Sequence, residues 1–117
     1  MNALRALLLL FLVGVASAAD TRADYDARVR AQVGKRWDDV SSKYENILEP
    51  GTAVMRFLIA PDGKPSSVRT SSAQGAPNLV RITREMIESM KFPPFPPDLA
   101  KKAAKGIPME ISVTVLP

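Results

Sequence analysis

Neither cysteine nor histidine occurs anywhere in the 117 residues. Without cysteine no disulfide can brace the chain, even in an oxidising compartment. Without either residue the usual zinc and haem ligands are missing, and no imidazole is available to activate a serine. Charge of one sign is scarce too. The net charge is only +4, too little to argue for nucleic acid. Long apolar runs are limited to one, residues 6–15, preceded by Arg5 and followed by Ala16, Ser17 and Ala18. A basic start, a short apolar core and a small-x-small site make this an expected export signal cleaved after Ala18 or Ala19. The run is shorter than a bilayer span requires. No cysteine follows the small residues, so a lipid anchor there is excluded. The expected division is therefore residues 1–18 as a cleaved signal peptide and residues 19–117 as one small domain in the periplasm.

What is present is regular patterning. Tyr25, Val29, Val33 and Trp37 recur every four residues among charges, which predicts an amphipathic helix. Asp20 or Thr21 is its candidate cap, and Gly34 is a weak point within it. Ser42 and Glu45 have capping-box spacing, so residues 43–48 are expected as a short second helix; one continuous helix over residues 24–48 is the alternative. Ala53, Met55, Phe57 and Ile59 alternate along a strand. Pro61, Asp62 and Gly63 predict a tight turn, and a serine-rich return strand over residues 65–71 reads as an edge. Pro77 opens a helix with Leu79, Ile82, Met86 and Met90 on its apolar stripe and Arg81, Arg84, Glu85 and Glu88 toward water. Ile107, Met109, Ile111, Val113 and Val115 give the cleanest alternating strand. The hairpin makes the first two strands antiparallel, and the returning helix sets the third beside the first. The expected fold is α+β, order α-(α)-β-β-α-β, a three-stranded antiparallel sheet of order 2-1-3 with helices on one face.

Four prolines and two phenylalanines crowd residues 92–97. Such a segment is either an extended polyproline ligand or a stiff elbow that stops the helix and turns the chain into the last strand. The elbow is preferred, because proline fixes its own φ and cannot continue a helix.

Chemistry-bearing groups are few. Ser66, Ser67, Ser71 and Ser72 sit near Lys64, but turn and edge bonding explains them better than catalysis. Asp38 and Asp39 lack the further acids and glycine of a calcium loop. Lys101, Lys102 and Lys105 form a basic cluster, a solvated turn or a candidate contact for an acidic partner or anionic headgroups. No enzyme activity, metal or cofactor is expected. The feature with functional promise is an edge. If the last strand borders the sheet, Met109, Glu110, Ile111, Ser112, Val113, Thr114 and Val115 present backbone groups to which an extended peptide can add as another strand.

The ordered set Gly51, Ala53, Met55, Phe57, Ile59, Asp62, Gly63, Val68, Ser71, Ser72, Gly75, Phe92, Pro94 and Pro96, with the helical stripe before it and the alternating strand after it, resembles the TonB C-terminal domain family and, more distantly, the TolA C-terminal domain. The resemblance covers residues 25–115. It implies a non-catalytic periplasmic module that binds a short segment of an envelope protein, such as an outer-membrane transporter, by strand addition in TonB-type transport. TonB proteins usually carry a longer N-terminal anchor and a proline-rich spacer; neither is expected here. An unanchored domain cannot transmit force from an inner-membrane motor, so the alternative is a structural or regulatory role, as a homodimer or a decoy competing with full-length transducers.

Overall fold

A computed structural model of the chain describes residues 18–73 and 75–117. The expected export signal lies outside these residues, apart from Ala18 at the proposed cleavage point. The elements in order are α1 (Ala18–Lys43), β1 (Gly51–Ile59), β2 (Pro65–Ala73), α2 (Pro77–Ser89), α3 (Pro97–Lys102) and β3 (Ile107–Val115). The strands form one antiparallel sheet of order β2-β1-β3, as the chain directions require.

Every second residue of the central strand is buried against the helices: Ala53, Met55, Phe57 and Ile59. Ile107, Met109, Ile111 and Val113 of β3 continue that face, and Tyr25, Val29 and Val33 of α1 and Leu79, Ile82, Met86 and Ile87 of α2 close it. A period of two therefore meets a period of about 3.6 across one core. The other sheet face is left to solvent, with Arg56, Arg69, Glu110 and Ser112 exposed.

α1 departs from the expected break. It runs unbroken through Gly34 and Ser42, and Asp20 and Thr21 lie inside it rather than at its start. The stretch expected as a short second helix makes hydrogen-bonded turns, with Leu48 N–H donating to Tyr44 C=O (3.1 Å) as a single helical turn. The burial of Val40, one turn beyond Trp37 and two beyond Val33, continues the period and favours continuation over the capping-box signal at Ser42. α3 is a short helix beyond the expected elements; Pro97 in its first turn, Asp98 at its start and Lys101 and Lys102 in its last turn suit it. Arg84, expected in water, is half-buried and donates from Nη2 to Thr70 Oγ1 (3.2 Å).

The proline-rich segment is an elbow. Phe92 and Phe95 are 2% and 7% exposed, so neither ring is offered to a partner groove. Phe92 stacks on Phe57 with centroids 5.9 Å apart, and Phe95 meets Tyr25 edge-on at 5.1 Å. The segment is pinned along its backbone. Phe95 N–H donates to Pro61 C=O (2.9 Å), and the Tyr25 hydroxyl donates to Pro93 C=O (2.7 Å). Burial pushes the Tyr25 phenol up to about 12, so it stays a donor across the neutral range.

α2 begins without a cap of its own, because Ala76 holds the N-cap position and offers no side-chain acceptor. The cap comes from a distance. The Glu49 carboxylate accepts from the N–H groups of Asn78 (3.1 Å) and Leu79 (3.0 Å). Burial pushes this carboxyl up, but those bonds, its own N–H and the Arg81 guanidinium outweigh that, and the net shift is downward. A negative group at a helix start also suits the helix dipole. This bridge holds the entrance to β1 against α2.

Candidate functional site

A three-stranded sheet has two borders, and the two differ. Along β3 the pairing with β1 runs from Gly51 opposite Val115 to Ile59 opposite Ile107 without a shift. Along β2 the register slips twice, between Val54 and Met55 and again between Arg56 and Leu58 of β1. Each slip leaves an extra residue on β2, and Ser67, in the second, takes a positive φ of 53°. Bulges of this kind bend a strand and spoil it as a template. The β2 border is blunted and the β3 border is straight.

The backbone groups on the β3 border follow from the antiparallel alternation. N–H and C=O of one residue point to the same side, and the next residue reverses them. The Glu110 C=O points away from β1, because Arg30 of α1 donates to it from Nη1 at 3.2 Å. Ser112 and Thr114 share its phase, and their backbone groups face outward with it. Pro108 falls on the same phase and has no N–H to spare, as edge strands tolerate.

The seven strand residues singled out from the sequence therefore divide into two sets. Met109, Ile111 and Val113 send their side chains into the core, and Val115 is half-buried. Glu110, Ser112 and Thr114 lie on the solvent face. Glu110 Oε2 pairs with Arg56 Nε at 3.2 Å. The Thr114 and Thr52 hydroxyls share a hydrogen bond of 2.9 Å. Both pairs are exposed cross-strand contacts of modest worth. Lys101, Lys102 and Lys105 are exposed but sit ahead of β3, at the end of the sheet that holds the elbow. The fold does not bring them beside Ser112 or Thr114.

No local pattern in the chain announces the groove that flanks this border. α1 overhangs β3, and a hollow of about 290 Å³ opens between them, with Arg30, Gly34 and Trp37 on one side and Ile111 to Thr114 on the other. Trp37, expected as core, is half-buried and packs against the core while lining this groove. It also lines the adjoining hollow with Leu48, Val115 and Leu116. Among the described residues, Leu116, 80% exposed, and Ile47, 44% exposed, are two of the few large apolar residues left in solvent. A second depression, about 580 Å³, lies on the open sheet face around Arg56, Arg69 and Ser67.

Among the described residues no helix is long and apolar enough to cross a membrane, and no three acidic residues gather as a metal site. A family model described as the Gram-negative bacterial TonB protein C-terminal matches residues 48–112. That span runs from the entrance of β1 to the middle of β3. No curated protein matches the chain.

Proposed function

The chain belongs to the TonB C-terminal family, a family of periplasmic, non-catalytic interaction modules, and from that premise we propose that it docks an envelope protein by strand addition along β3. Family members bind envelope or outer-membrane proteins generally; the guest here is an extended segment of such a protein, for example a transporter of the outer membrane. One observation carries the choice of border. β3 pairs with β1 without a slip and turns the backbone groups of Ser112 and Thr114 outward, whereas β2 is bulged at two places. A guest strand gains main-chain hydrogen bonds from the first border and meets broken register at the second. The domain begins after an export signal ending at Ala18, and its basic cluster at Lys101, Lys102 and Lys105 is a separate contact, away from the strand.

The test is capture from envelope extract by the wild-type domain and by Ser112→Pro, which removes one outward N–H. Strand addition at β3 predicts a partner held by the first and lost by the second. Equal capture by both refutes the choice of β3. The same border can also pair with a second copy, and sizing of the free protein distinguishes the two. A tight dimer that hides Ser112 and Thr114 favours the homodimer or decoy role instead.

A further inference from the structure

Gly34 stands in the interior of a 26-residue helix, where glycine is the costliest residue after proline. Nothing in the described fold asks for it. Its backbone is ordinary helix, and a Cβ built there meets no atom within 4 Å. It serves neither a turn nor a close approach of two segments. What it does is leave a notch. Arg30 and Trp37 stand four residues before and three residues after it, so the three share one helix face, and that face looks onto the β3 border.

The walls of the notch are held in place. Arg30 is fixed by its bond to Glu110 C=O (3.2 Å) and lies 3.7 Å from the Asp26 carboxylate. Trp37 is packed against the core. A strand added to β3 runs about 4.8 Å beyond it, in the lane beneath this face. Alternate side chains of that strand point to the helix side of the sheet. One of them arrives between Arg30 and Trp37, where Gly34 has no side chain to oppose it.

We propose that Gly34 is a specificity-determining opening in α1, which admits one bulky apolar side chain of the guest strand between Arg30 and Trp37. The proposal rests on strand addition at β3 and deepens it by stating what the guest carries: an alternating segment whose central helix-facing residue is large and apolar. Arg30 closes one end of the slot and sets where the guest stops, while Trp37 supplies the apolar wall at the other.

The probe is a panel of capped seven-residue peptides of alternating threonine and valine, with the central valine kept or replaced by alanine, leucine or phenylalanine. Binding to the full-length protein is measured by titration calorimetry, with the amide protection of Ser112 and Thr114 as a second readout. The wild type is expected to hold the leucine or phenylalanine peptide at least about tenfold more tightly than the alanine one, as burial of one large side chain allows. Gly34→Leu is expected to melt at a higher temperature than wild type, since it restores helix propensity and its Cβ clashes with nothing, yet to lose that preference to within about twofold. A Gly34→Leu domain that keeps the preference overturns the assignment of Gly34 while leaving strand addition standing, provided Ser112→Pro still abolishes binding. A panel that binds the wild type with no preference for the large residue also overturns it. If no peptide of the panel protects Ser112 or Thr114, strand addition of this chemistry fails, and the slot with it.

Discussion

The backbone N–H of Phe92 donates to the carbonyl oxygen of Gly63 at 2.9 Å, so the proline-rich elbow is seated directly on the hairpin turn. Two segments about thirty residues apart in the chain thereby become one corner of the molecule. The corner fixes the direction in which the chain leaves α2 and, through α3, the line on which β3 arrives.

Gly63 is the least replaceable residue of this corner. Its φ is +91°, and a Cβ there would lie 2.0 Å from the Phe92 carbonyl oxygen. Backbone must move to relieve that overlap. Gly63→Ala is expected to cost about 2–4 kcal/mol in urea unfolding, whereas Gly75→Ala, whose added Cβ meets nothing within 4 Å, pays mainly for its positive φ, about 1 kcal/mol.

Tyr25 ties α1 to the same corner. Its phenol is raised in the folded state from about 10 to about 12. A raised pKa means that the neutral form is favoured by folding. Its contribution is complete below about pH 10 and is lost as the pH climbs through about 12. Unfolding midpoints measured between pH 9 and 12 should fall over that window. Tyr25→Phe should flatten the fall, and it should cost about 1 kcal/mol at neutral pH by leaving Pro93 C=O without its donor.

Glu49 gives the opposite limb. Its carboxyl is lowered on folding, so its stabilisation is present above the ordinary carboxylate range and is lost as the pH drops through the lowered value. Glu49→Gln should reduce the melting temperature at pH 7 and make it less sensitive to acid. A variant with an unchanged acid profile would remove Glu49 from the role of distant cap for α2.

Much of this fold was legible because its signals are local. The alternation in β1 and β3, the Pro61-Asp62-Gly63 turn and the stop imposed on α2 by Pro93 each follow from a few adjacent residues. The sheet order followed from chain direction alone. Three features did not yield to that reading. Glu49 caps a helix that starts almost thirty residues later, and no spacing rule connects them. The capping-box spacing at Ser42 pointed to a break, but Val40 and its burial carried α1 through it. The groove beside β3 depends on how α1 leans over the sheet edge, which is a tertiary matter. The strand residues themselves were found from alternation, yet which of them turn their backbone outward required Arg30 and its bond to Glu110 C=O.

Two proline substitutions separate border from core within β3. Ser112→Pro removes an N–H that faces outward, so the domain should remain folded, with a loss of about 1 kcal/mol or less. Ile111→Pro removes one that faces β1 and opens the buried ladder, and it should cost about 3 kcal/mol or more. Circular dichroism melts of the two variants check the phase of the strand independently of any partner.

The most direct measurement is residue-resolved amide exchange along β3 in the free monomer and with a guest bound. A free border predicts alternation: slow exchange at Ile111 and Val113, fast exchange at Ser112 and Thr114, and protection of the fast pair once the guest is added. Slow exchange at Ser112 and Thr114 in the free monomer would mean that the border is already occupied, and docking by strand addition at β3 would be wrong.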